Sequence, residues 1–351
     1  MGEYGSKKKC RFSSFHEDGN FDLIRYVELK MKKSFLFLFL FLITVIPFHA
    51  NADLLNSAVR IKAQIPEKAR TSKFLGKERE GSGIVIDDQG HVLTIGYLVL
   101  EAGSVEITDV DGRVIAAAVE GYDGDSGFGL LKALSPLQAR PLRLRDSSDI
   151  QSEERLRVVS SQDDTVVQQV VVLERGTFAG YWEYLLENAI FTVPAVNAFS
   201  GAGLVNEKGE LVGIGSLFLK RNFQSTMVPS NMFVPTEALL PILDDLKRSG
   251  RSSSPPRPWL GVTVVEQYGR VLVQRVSSGS PAMLSGIGEG DLILKVGNTP
   301  VKNLEGFFRA VWSLGNAGVK VPLTLLQGNE LKQLDLISAD RNLVYRTVQY
   351  D

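Results

Sequence analysis

Three stretches of this chain share one pattern: a short apolar strand, a polar turn with glycine, and a second apolar strand. They are Gly83-Ile-Val-Ile-Asp-Asp-Gln-Gly-His-Val-Leu-Thr94, Val105-Glu-Ile-Thr-Asp-Val-Asp-Gly-Arg-Val-Ile115 and Leu204-Val-Asn-Glu-Lys-Gly-Glu-Leu-Val-Gly-Ile214. Asp-Asp-Gln-Gly and Asp111-Gly112 read as the turns of the first two. Short strands at regular spacing predict an antiparallel β-barrel for residues 53–247. Near its end, Thr236 to Lys247 fits a helix. Thr236 is placed to cap it, and Leu239, Leu240, Ile242, Leu243 and Leu246 form an apolar stripe.

A second domain follows. Residues 248–257, Arg248-Ser-Gly-Arg-Ser-Ser-Ser-Pro-Pro-Arg257, cannot build a packed element and read as a linker. Residues 258–345 alternate strands with two helical stretches. Ser280-Pro-Ala-Met-Leu-Ser-Gly286 is a short helix closed by glycine, and Leu304 to Leu314 is a longer one.

The amino-terminal 52 residues differ in kind. Met31-Lys-Lys33 precedes an apolar run, Phe35 to Phe48, and Ala50-Asn-Ala52 supplies small residues at a cleavage point. Residues 31–52 are therefore expected to be a signal peptide that directs export. Residues 1–30 are read as an upstream start-site artefact. Without the first 52 residues the chain keeps 31 basic and 35 acidic residues, a net charge of −4. That balance argues against a nucleic-acid partner. Cys10 is the only cysteine and lies before the expected cleavage point, so the mature protein has no thiol nucleophile and no disulfide. One histidine, His91, remains there. No metal cluster can be assembled from it, no phosphate-binding glycine loop is present, and no cofactor is implied.

The order of these pieces resembles the HtrA/Deg family, bacterial envelope proteases with a chymotrypsin-like double β-barrel and a C-terminal PDZ domain. The matching residues include Gly81-Ser-Gly-Ile-Val-Ile-Asp-Asp-Gln-Gly90, Val92-Leu-Thr94, Gly129-Leu-Leu-Lys132, Ser200-Gly201 and Phe233-Val-Pro235. In the second domain they are Trp259-Leu-Gly-Val262, Ser280-Pro-Ala282 and Gly286-Ile-Gly-Glu-Gly-Asp-Leu-Ile293. The resemblance implies a mainly β protein, a double barrel followed by a small α+β PDZ domain, located in the periplasm or cell envelope of a bacterium.

It also implies where a serine–histidine–aspartate triad should stand, and the chain departs from it. Ser200 occupies the nucleophile position, Tyr97 stands in place of the histidine and Gly127 in place of the aspartate. A phenol with a pKa near 10 is a poor base at neutral pH, and glycine has no carboxylate to orient one. The family's Gly-Asn-Ser-Gly-Gly reads Ala198-Phe-Ser-Gly-Ala202 here, which restricts the backbone that would receive an oxyanion. His91 lies six residues before Tyr97 in an extended strand, so roughly 20 Å away at about 3.3 Å per residue. It follows a turn and is expected to be an exposed surface residue. Asp123 and Asp125 read as turn formers.

The resemblance further implies a carboxylate-binding loop in the PDZ domain. Trp259, Leu260, Gly261 and Val262 would hold a peptide's free C-terminus by backbone N–H groups, and the peptide would add as a strand beside Thr263 and Val264. The expectation is an exported pseudoprotease that binds peptides or unfolded proteins as an adaptor, chaperone or regulator. Two alternatives stand beside it: an active endopeptidase using Ser200 with non-standard partners, and an inactive subunit of a mixed oligomer with an active relative. A homo-oligomer is also compatible with the family.

Overall fold

A computed structural model describes residues 54–345 apart from 163, 164 and 224. The expected signal peptide and the residues before it lie outside the described residues.

Two closed antiparallel barrels of six strands come first. The first contains β1 (Ala58–Gln64), β2 (Glu78–Val85), β3 (His91–Ile95), β4 (Ser104–Thr108), β5 (Val114–Tyr122) and β6 (Phe128–Ala133), in the order β1-β2-β3-β6-β5-β4. The second contains β7 (Arg155–Ser161), β8 (Thr165–Gly180), β9 (Tyr184–Val193), β10 (Gly203–Val205), β11 (Leu211–Phe223) and β12 (Thr226–Pro235), in the order β10-β11-β12-β9-β8-β7. Closure leaves neither sheet with a free edge. The period-two pattern drives it: in β4, Val105 and Ile107 point into the core while Ser104 and Glu106 face water.

The hairpin turns are built by side chains. Asp87 accepts hydrogen bonds from the Gln89 and His91 N–H groups at 3.0 and 3.1 Å. Asn206 does the same for Lys208 and Glu210 at 3.0 and 2.9 Å. The third turn likewise begins at Asp109, whose carbonyl receives the Gly112 N–H, rather than at Asp111-Gly112 alone. In each case a short oxygen-bearing side chain opens the turn and glycine closes it.

Two one-turn helices interrupt the first barrel, α1 (Ser72–Leu75) and α2 (Gly96–Val99). The helix expected over 236–247 is shorter than its stripe. Thr236–Ala238 forms a 3₁₀ turn, and the α-helix α3 covers only Leu243–Ser249. Pro241 has no N–H to continue a helical ladder and disfavours helical geometry in the residue before it, and the α-helix starts beyond it, at Leu243. Thr236 caps nothing; its hydroxyl donates to the Arg145 and Val212 carbonyls instead. Leu239 and Leu246 of the stripe are fully buried.

The C-terminal part is a sheet ordered β14-β15-β16-β18-β19, from β14 (Val262–Gln267), β15 (Arg270–Val276), β16 (Leu292–Val296), β18 (Lys320–Gln327) and β19 (Glu330–Ile337). The short β17 (Thr299–Pro300) joins β16, and β13 (Pro258–Trp259) pairs with β20 (Ala339–Asp340). Helix α4 (Pro281–Leu284) is capped by Ser280, and α5 (Leu304–Trp312) by Asn303, whose side chain accepts the Gly306 N–H at 2.7 Å. Phe307, Phe308 and Val311 of α5 fill this domain's core. A last turn, α6 (Arg341–Val344), returns to the barrels.

Candidate functional site

The two barrels meet where β2 passes the turn before β10. The Ser82 N–H donates to the Ser200 carbonyl at 2.8 Å, and the Thr94 hydroxyl donates to the Ser82 carbonyl at 2.7 Å. Gly201 has φ +72°, and a β-carbon there would stand 2.0 Å from the Ser82 carbonyl oxygen. Only glycine permits this approach. The loop before Ser200 is pinned by Asn231, a buried residue that sequence reasoning missed. Its side-chain amide accepts from the Val196 N–H at 2.6 Å and donates to the Val196 carbonyl at 3.1 Å. Nothing in its strand context distinguishes it from a surface-facing polar residue.

Tyr97 sits on α2, directly after β3, and reaches across to this turn. Its Oη lies 2.7 Å from Ser200 Oγ and donates to the Ser216 carbonyl at 2.9 Å. A carbonyl can only accept, so the single phenol proton goes to Ser216 and the Ser200 hydroxyl donates to Oη. Burial pushes the Tyr97 phenol up to about 12, against the smaller opposing effect of its bond to Ser200. The pair is therefore two neutral hydroxyls near pH 7, each with its proton already placed.

Gly127 does not reach Ser200. Its carbonyl accepts the Gly96 N–H at 2.7 Å, one residue before Tyr97. It has φ +88°, and a β-carbon there would stand 3.4 Å from the Tyr184 hydroxyl. Tyr184 Oη donates to the Ser126 carbonyl at 2.6 Å, and the Tyr122 ring lies over Gly96, 2.3 Å from where a β-carbon would be. A side chain at Gly127 would thus lie against the Tyr184 phenol, while the Tyr122 ring closes over Gly96. Burial pushes both upward, Tyr122 to about 12 and Tyr184 further. Asp123 turns back on its own loop, accepting from the Ser126 N–H and hydroxyl at 2.7 and 2.5 Å.

His91 is not the exposed residue expected. It is 4% exposed. Its Nδ1 lies 2.6 Å from Asp87 Oδ2, its Nε2 lies 3.0 Å from Glu120 Oε2, and Lys247 of α3 donates to the same Asp87 oxygen at 2.7 Å. Pairing of β3 with β6 and the return of α3 cover a ring that follows a surface turn in the sequence. Among the described residues, no group of three or more histidine, cysteine, aspartate or glutamate side chains could hold a metal ion.

In the PDZ part, the Leu260, Gly261 and Val262 N–H groups do converge on one carboxylate, at 2.8, 2.7 and 2.9 Å. It is the side chain of Glu183, from the β8–β9 turn of the same chain. Beside them the Val264 N–H donates to the Tyr181 carbonyl at 2.9 Å. Trp259 and Thr263 are buried, and the Thr263 hydroxyl accepts from Arg275 at 3.1 Å. The groups expected to receive an external peptide end are engaged internally.

The trypsin-like peptidase domain family matches residues 81–214, and the PDZ domain family matches residues 258–337. A probable periplasmic serine endoprotease DegP-like of Pseudomonas putida (strain W619) is 26% identical over 294 residues, covering 78% of this chain and 58% of the relative. A putative serine protease HhoA of Synechocystis sp. (strain ATCC 27184 / PCC 6803 / Kazusa) is 27% identical over 291 residues, covering 75% of this chain and 68% of the relative. The chain thus spans little more than half the length of the DegP-like relative. Among solved structures, the HtrA-type protease AlgW with a decapeptide superimposes with a TM-score of 0.52 at 19% identity, over 83% of this chain and 98% of that one. With two barrels meeting at Ser200 and a PDZ domain after them, the chain carries a trypsin-like peptidase domain followed by a PDZ domain and is similar to relatives named as DegP-like and HhoA serine proteases.

Proposed function

We propose that this protein is a pseudoprotease of its family: it is exported to the periplasm or cell envelope and binds peptides or unfolded proteins through its PDZ domain without cleaving them. The observation that carries this reading is the Tyr97 hydroxyl, 2.7 Å from Ser200 Oγ with its own proton on the Ser216 carbonyl. Acyl transfer needs a base that takes the serine proton and later returns it to the leaving amine. A neutral phenol cannot hold that second proton. The tyrosinate that could is scarce, since the phenol sits at about 12. Ser200 in this reading is a spacer in a tight turn, and Tyr97 is a strut between the barrels.

A periplasmic location is supported by the name of the DegP-like relative and by the Ala50-Asn-Ala52 sequence expected to end a signal peptide. That relative's name also favours the competing reading, an active endopeptidase. Labelling of the purified protein with a serine-directed fluorophosphonate, beside a Ser200→Ala control, separates the two. The pseudoprotease reading expects no Ser200-dependent adduct and no casein cleavage. A Ser200-dependent adduct with casein cleavage lost in Ser200→Ala would establish the endopeptidase. Cleavage only after adding an active relative would point to a mixed oligomer.

A further inference from the structure

We infer that residues Tyr181–Leu185 are a built-in ligand of the PDZ groove, with the Glu183 carboxylate standing where a peptide's terminal carboxylate would lie, so that an external peptide binds only by displacing them. This rests on the reading above that the Leu260–Val262 loop receives carboxylates.

Three independent contacts reproduce the parts of such a ligand. The first is the anion. Three consecutive N–H groups, Leu260, Gly261 and Val262, close on Glu183 Oε2 and Oε1 at 2.7–2.9 Å. A nest of this kind selects a carboxylate. Gly261 holds φ +85° to make it, and a β-carbon there would fall 2.1 Å from Ser280 Cβ. The second is the strand. β14 is the outer strand of its sheet, and its Val264 N–H takes the Tyr181 carbonyl, as an added peptide strand would. The third is the side-chain pocket. Leu185 is buried within the PDZ core cluster that holds Leu260, Val262, Phe307 and Phe308, although it belongs to β9 of the second barrel.

The segment is held in a shape that ordinary turn chemistry would not choose. Glu183 has φ +57°, unfavourable for a residue with a β-carbon, and it is 4% exposed. A buried carboxylate persists only where donors and charge compensate it. Besides the three N–H groups there is Arg341 of α6, whose guanidinium donates to the Trp182 and Glu183 carbonyls at 3.0 and 2.5 Å. The α6 turn thus clamps the hairpin tip through its backbone carbonyls.

The experiment uses the full mature chain and two forms of one probe. A fluorescein-labelled pool of random hexapeptides is made once with free C-terminal acids and once amidated. Binding is read by anisotropy, and exchange of the Leu260, Gly261 and Val262 amides is read by hydrogen–deuterium exchange. Glu183→Ala should bind the acid pool about tenfold tighter than wild type, because apparent affinity rises with the fraction of open groove. The amide pool should show no such gain. Exchange of the three amides should rise in Glu183→Ala and fall again when the acid pool is added. Glu183→Gln, which keeps the side chain's shape and one oxygen, should bind with a smaller gain, and it serves as the folded control if Glu183→Ala is unstable. Equal, measurable acid-pool binding by wild type and both variants would overturn the internal ligand while leaving peptide binding intact. Raised exchange without binding of either pool would overturn the carboxylate-binding reading and displacement with it. Unchanged exchange in both variants would show that Glu183 does not close the loop.

Discussion

An imidazole that takes a proton from serine becomes a stable cation, whereas a phenol already donating its own proton has nowhere to put another. That difference sets what can be expected of Tyr97, whose hydroxyl links Ser200 to the Ser216 carbonyl. Tyr97→Phe should leave that carbonyl short of its donor and lower stability by about 1–2 kcal/mol, measured by urea unfolding. Reactivity of Ser200 should stay absent; a fluorophosphonate adduct on wild type that disappears in Tyr97→Phe would instead make Tyr97 a base. The double change Tyr97→His with Gly127→Asp should not create a triad. The aspartate would have to adopt φ near +88° with its β-carbon against the buried Tyr184 hydroxyl. Strain of about 1–2 kcal/mol and an uncompensated buried charge should show as a lower melting temperature with no gain in labelling. The approach of Tyr97 to Ser200 follows from their fixed offsets from strand motifs, whereas Gly127, placed by the same kind of offset, does not reach Ser200. The neighbouring phenols Tyr122 and Tyr184 were not legible as a pair, since one comes from each barrel.

At the scale of elements, the hairpin β2–β3 does more than turn. Burial alone would raise Asp87, but hydrogen bonds from Lys247 and from the His91 backbone and ring hold it down, at about 2. A carboxyl depressed in the folded state stabilises that state above its unfolded pKa and loses the effect as pH falls through the folded value. Asp87→Asn should therefore cost about 1–2 kcal/mol at pH 7. The difference from wild type should shrink as pH is lowered from about 4 to about 2. A pH-independent difference would assign the loss to turn geometry rather than charge. The turn itself could be read from Asp-Asp-Gln-Gly, because the side chain and the groups it bonds lie within four residues. The burial of His91 could not, because the partner Lys247 comes 160 positions after Asp87. The helix over 236–247 failed for a local reason that the stripe outweighed: Pro241 stands inside it.

In the whole molecule, barrels and PDZ domain are joined by the buried Leu185 and by polar contacts, several of them at the β8–β9 hairpin. Arg309 of α5 pairs with Glu187 of β9 at 2.6 Å, Arg70 donates to the Ser278 carbonyl at 2.8 Å, and Arg341 clamps Trp182 and Glu183. Arg341→Ala should loosen this junction by about 1–3 kcal/mol. Calorimetry should then resolve a separate, earlier transition for the PDZ domain, where wild type should melt in one; a single unchanged peak would show that the clamp carries no coupling. The PDZ domain itself was legible from Trp259-Leu-Gly-Val262 and its companions, but its occupancy was not, because Glu183 carries no mark of its destination 77 positions later. A ligand on a short tether acts at an effective concentration on the order of millimolar. As a built-in ligand, the Glu183 hairpin would set a threshold that a lone, weakly held chain end in dilute solution would not cross. Many chain ends gathered in one aggregate would cross it. The covered groove would then respond to crowding of damaged chains rather than to their mere presence.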